Sequence, residues 1–176
     1  MMDTCGECGF DYEGLAVADA PSVLSRATAL IGDQLEDADE VLARTRPEPS
    51  TWSALEYACH VRDVLLVQRE RILLALVEDT PRFVRMYRDE RVSNAGYDRE
   101  TTGELVEELS MAAKLVCSVI EGLSVEQQQR GCIYNNPEAT RRDVGWLVRH
   151  TTHEVVHHEM DVRKVLESAV RIREHR

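Results

Sequence analysis

With 176 residues, the chain has room for one domain built on a single core and not for two of ordinary size. A formal charge of -11 and a pI near 5.0 argue against nucleic acid and anionic membrane surfaces, both of which reward basic patches. No apolar run approaches the ~18 residues of a membrane span. Asp3 and Glu7 stand where a signal peptide needs a basic and then an apolar stretch, so a cytoplasmic protein is expected.

Residues 1–19 read as an N-terminal extension ahead of a helical domain over 20–176. The extension contains Cys5-Gly6-Glu7-Cys8-Gly9-Phe10, which has the form of one half of a zinc ribbon. A closed structural zinc site needs four ligands, and no second CxxC exists to supply them. A metal half-site, a redox pair and a plain extension therefore all remain open. The five cysteines are odd in number and scattered, which is a poor disulfide framework and fits a reducing compartment. Cys59 and Cys117 fall within helical patterns as small core residues, while Cys132 follows Gly131 in a loop, either exposed or inert.

The first helix is expected from about Pro21, a favourable first-turn residue, to Arg44. Its stripe runs through Val23, Leu24, Ala27, Leu30, Ile31, Leu35, Ala38, Val41 and Leu42. Pro47 and Pro49 cannot continue it. The second helix starts at Ser50 or Ser53, with capping-box spacing from Ser53 to Glu56, and runs to about Glu78. It is apolar around most of its circumference, which predicts a central position. His60 lies off its main stripe, near Val64, Val67 and Arg71.

Residues 80–100 are polar and without periodicity, carrying Phe83, Met86, Tyr87 and Tyr97 among arginines. A structureless stretch of that length is either a roof over a pocket or a plain crossover. The third helix begins at Thr101, again with capping-box spacing to Glu104, and ends near Gly122; Leu105, Leu109, Ala112, Ala113 and Val116 lie on its buried face. A loop of mixed character follows over Gly131–Pro137. The fourth helix is expected from Thr140 to Leu166 or beyond, with Val144, Leu147, Val148, Thr151, Val155 and Val162 on its stripe. Four long amphipathic helices without strand-like alternation make an all-α, four-helix bundle.

Within the last helix, residues 150–158 hold four of the six histidines. At about 100° per residue, His150, His153 and His157 share a face on the side of Trp146, and His158 points elsewhere. Neutral imidazole suits zinc, nickel, copper and iron, and an i, i+4 pair can grip one ion. His153-Glu154-Val155-Val156-His157 matches HExxH, but no third ligand follows at metalloprotease spacing.

Trp52 to Asp63, with His60 near its end, followed about 90 residues later by His150 to His158, resembles the DinB-like superfamily of four-helix-bundle metalloproteins. The resemblance covers roughly residues 20–167 and leaves the CxxC extension outside. It implies an up-down-down-up bundle with a long connection, commonly a homodimer, and metal ligands at His60, His153 and His157. The superfamily includes mycothiol-dependent maleylpyruvate isomerase and bacillithiol S-transferases. By that resemblance a divalent metal, zinc or nickel, activates a low-molecular-weight thiol for transfer to, or isomerisation of, a small electrophile. Three imidazoles would leave a coordination position open, the catalytic arrangement. Glu154 is the candidate catalytic residue, orienting an imidazole or acting as a base, with Asp63 in the same role or simply at the surface. His150 is a fourth ligand, a supporting group or neither. The rival functions are a non-catalytic metal-binding module and a metal-dependent hydrolase.

Overall fold

A computed structural model describes residues 4–135 and 138–175. Asp3, Asn136 and Pro137, which entered the sequence reading, lie outside the described residues. The segment 4–16 is irregular and leads through a 3-10 turn (Val17–Asp19) into α1 (Ala20–Asp37), where Pro21 occupies the first turn as expected. The predicted first helix does not run unbroken to Arg44. Ala38 is extended, and Asp39 caps a separate short helix, α2 (Glu40–Arg44), its Oδ1 accepting from the Leu42 N–H at 2.8 Å. Asp at this position favours an N-cap over a helix interior, and that local preference breaks the stripe.

The second long helix, α3 (Ala54–Val77), opens on the predicted capping box: Ser53 Oγ accepts from the Glu56 N–H, and Glu56 accepts from the Ser53 N–H at 2.8 Å. The connection that follows is not structureless. It contains α4 (Arg88–Asn94) and a 3-10 turn (Tyr97–Arg99). α5 (Thr102–Glu121) is capped by Thr101, and α6 (Val125–Gln128) is a single turn capped by Ser124. Gly131–Asn135 and Ala139–Asp143 then form β1 and β2, an antiparallel pair with Cys132 opposite Arg142. The last helix, α7, therefore starts at Val144, not Thr140, with Asp143 as its cap, and continues to Glu174.

The four long helices pack in the ring order α1, α5, α3, α7, an up-down-down-up bundle in which α1 lies diagonally across from α3 and α5 across from α7. Leu24, Ile31 and Leu35 of α1 meet Leu55, Leu65 and Ile72 of α3, Leu105 and Leu109 of α5, and Leu147 and Val155 of α7 in one core. Each such side chain contributes about 1.5–3 kcal/mol on burial. α3 is not central, as its apolar circumference suggests; it packs on two helices like the others and leaves Leu66, Leu74 and Val77 exposed. Beside its apolar core residues α3 buries four polar ones, His60, Asp63, Gln68 and Arg71. Among the described residues no helix is long and apolar enough to cross a membrane.

Asp63 is no surface carboxylate. It is 8 % exposed, accepts from the Tyr97 hydroxyl at 3.0 Å and from Arg91 at 2.8 Å, and faces Arg62 at 3.2 Å. These bonds tie the long α3–α5 connection to α3, with Tyr97 fully buried. Asp63→Ala removes the carboxylate partner of Arg91 and the acceptor of a buried phenol, while Arg62 keeps Glu100 and Glu108, so urea unfolding should show a loss of about 3 kcal/mol, with the 3-10 turn the first region to exchange amide protons.

Candidate metal centre

Helix arithmetic decides which side chains can meet. On α3, residues 60, 64, 68 and 71 fall within about 80° of one another and form one face. α7 carries donors on two faces. Glu154, His158 and Asp161 share one, turned toward α3; His153 and His157 lie about 60–100° round the helix, turned toward the N-terminal segment. Thr151 and Thr152, buried on α7, spend their hydroxyls on the carbonyls of Leu147 and Val148 and add no donor to either face.

On the first face, donor atoms of His60, Glu154 and His158 all lie within 4.8 Å of one another. The rings of His60 and His158 are 5.0 Å apart at 78°, with Trp52 against His60 and Tyr57 against His158. His60 is buried, and its Nδ1 has no hydrogen-bond partner. Burial, reinforced by the neighbouring His158, lowers its pKa to about 4, so at neutral pH it is a neutral lone-pair donor. His158 Nδ1 is 2.9 Å from Asp161 Oδ2, which holds the proton on Nδ1 and leaves Nε2 toward Glu154, 4.0 Å away. Burial raises the Glu154 carboxyl, but His153, His150 and His158 around it outweigh burial and hold it at about 2. Glu154 is therefore an ionised acceptor.

The structure does not bring His60 together with His153 and His157. Among the described residues, those two group instead with Cys5 and Cys8, within the same 4.8 Å limit. Cys5 Sγ is 3.6 Å from His157 Nδ1. The amide of Cys8 above all, with that of Glu7, points at the Cys5 sulfur and brings its thiol down to about 6 against the effect of burial, whereas burial raises Cys8. Burial opposes charge on His153, but Glu154 and Cys5 beside it raise its pKa.

His150 is committed elsewhere. Its Nδ1 meets the Tyr12 hydroxyl at 2.9 Å and its Nε2 the Tyr134 hydroxyl at 3.1 Å, while its ring stacks on Trp146 at 4.7 Å. Burial takes its pKa to about 4. The Tyr134 oxygen also accepts from Gln68 Nε2 (3.1 Å) and Arg71 (3.2 Å), so β1 is bonded to both α3 and α7. These groups wall a cleft of about 420 Å³ with His60 and Glu154 on its floor. The stretch from Arg85 to Glu90 forms the opposite wall, with Tyr87 held at φ 52°, a left-handed backbone that costs a non-glycine residue about 1–3 kcal/mol. A larger groove of about 650 Å³ between α1 and α5 is lined by small and hydroxyl side chains together with Asp33, Glu36, Lys114 and Glu121, and the clustered donors lie elsewhere.

The sequence pattern of the DinB superfamily matches residues 24–159 of this chain. A solved structure, YfiT from Bacillus subtilis, described as a probable metal-dependent hydrolase with an unusual four-helix bundle topology, superposes with a TM-score of 0.76. The two are 15% identical, and the match covers 91% of each chain. No curated protein matches the sequence.

Sequence reasoning missed Tyr134 and Gln68 because neither carries a spacing signal, and missed His158 because the HxxxH rule selects His153 and His157. The equally spaced Glu154 and His158 were the available clue. Tyr134→Phe should cost about 1–3 kcal/mol in urea unfolding, since Gln68 and Arg71 lose a buried acceptor and His150 a partner.

Proposed function

The chain belongs to the DinB superfamily, and from that membership we propose a metal-dependent enzyme in which His60, Glu154 and His158 hold one divalent cation on the floor of the 420 Å³ cleft. The observation that carries this reading is the buried His60, its Nδ1 without a hydrogen-bond partner, grouped with two further donors. Nature seldom buries an imidazole nitrogen without a partner. Two imidazoles and one carboxylate form a donor set used in catalytic zinc sites, where a fourth position stays open. Asp161, bonded to His158, supplies the outer support such ligands need. A cation there would act as a Lewis acid and lower the pKa of a nucleophile brought beside it.

The lining of the cleft bears on the substrate class. Arg71, Arg85 and Arg88 share the lining with Asp89 and Glu90, and Gln68 and Tyr134 add polar groups, so in this reading the arginines would face a carboxylate or similar anion on a small electrophile. His60 and Glu154 line the cleft together with Met86 to Glu90. The nucleophile in this reading is a low-molecular-weight thiol of the mycothiol type, added to or transferred onto the electrophile. Hydrolysis is the second reading, favoured by the description of YfiT as a probable metal-dependent hydrolase. A homodimer is the proposed assembly, to be checked by light scattering.

Saturable, metal-dependent consumption of thiol with a panel of small anionic electrophiles supports the first reading; equal turnover without thiol supports hydrolysis. Absence of turnover with the ion bound contradicts both and leaves a metal-binding module. His60→Ala and His158→Ala should each abolish stoichiometric binding of the activity-supporting metal, and Asp161→Asn should weaken it about 10–100-fold by chelator competition.

A further inference from the structure

The donors on the other face of α7 belong to no part of the reaction above, and their chemistry is different. We infer that Cys5, Cys8, His153 and His157 form a second, closed Cys2His2 zinc site that fastens the N-terminal segment to the last helix. Ligand type and spacing agree: C-x2-C on a turn and H-x3-H on a helix are the two halves of a structural zinc site, here some 145 residues apart.

The turn is shaped for the task. Gly9 N–H donates to the Cys5 carbonyl and Cys5 N–H to the Phe10 carbonyl, both at 2.9 Å, with Gly9 at φ 73° where a side chain would be strained. Thr4 and Asp11 bridge behind it. Zn–S and Zn–N bonds of about 2.3 and 2.05 Å at a tetrahedral angle place sulfur and nitrogen about 3.6 Å apart. Cys5 Sγ and His157 Nδ1 stand at 3.6 Å. His157 Nε2 faces Asp161 and Glu7 carboxylates, each at 3.6 Å, which would keep the proton on Nε2 and Nδ1 free. His153 has both ring nitrogens buried without a hydrogen bond of proper geometry, and its ring is held between Phe10 and Tyr12 at 5.5 and 5.3 Å. Two thiolates and two neutral imidazoles balance the charge of the ion and leave no position open, so this site is structural.

Cobalt(II) substitution of the full-length protein separates this site from the one on His60. The wild type should give a sulfur-to-cobalt charge-transfer band with intense tetrahedral d–d absorption. The Cys5→Ser/Cys8→Ser variant should lose that band and one equivalent of zinc, whereas His60→Ala should keep it. Zinc loading should slow the reaction of Cys5 and Cys8 with a disulfide reagent at least tenfold. A wild-type cobalt spectrum without the sulfur band overturns the site, as does unchanged thiol reactivity on loading, or a Cys5–Cys8 disulfide in protein purified with reductant. Loss of the band in His60→Ala with the cysteines intact would also overturn it.

Discussion

Which donor side chains meet in this molecule follows from the rotation of α7 about its own axis. The helix crowds donors onto two adjacent faces, and the packing of Val155 and Val162 into the core fixes which face meets α3 and which meets the N-terminal segment. A turn of some 100° would carry His157 to the place that His158 holds. The apolar stripe thus sets the coordination groups as firmly as it sets the bundle.

Glu154 stands where the two faces join. Its Oε1 is 3.4 Å from His153 Nδ1, and its Oε2 reaches toward His158. A rigid N-terminal segment would hold His153, and through it the carboxylate under the cleft. Tyr12 and Arg149 extend the same link: Tyr12 bonds His150, and Arg149 donates to the Leu15 carbonyl at 2.8 Å. On the other side of the cleft, Asp63 anchors Tyr97 and Arg91, keeping the connection that carries Arg85 to Glu90 in place. Both supports are buried or half-buried polar contacts, costly if broken and therefore position-fixing.

The bundle was legible because 3.6-residue stripes in four segments are long and mutually consistent, and the caps at Ser53 and Thr101 mark true starts. The hairpin was not, since Thr140-Arg141-Arg142-Asp143 carries no apolar alternation and reads as a helix start; its pairing with Gly131–Asn135 decides the matter. The break at Ala38 was masked by a stripe that continues across it. Within the site, periodicity could group His153 with His157, and it could not say that Cys5 and Cys8 lie opposite them. That contact spans the whole chain and is a property of tertiary packing. The burial of Asp63 was illegible for the same reason: it comes with Tyr97 and Arg91, neither of which has a sequence relation to it.

Zinc-edge anomalous diffraction from crystals of the zinc-loaded protein tests the central claim most directly. The account predicts a peak bounded by His60, Glu154 and His158 at the floor of the cleft, distinct from any density beside Cys5 and Cys8. A single peak joined to His60, His153 and His157 together, or none within bonding distance of His60, would contradict it.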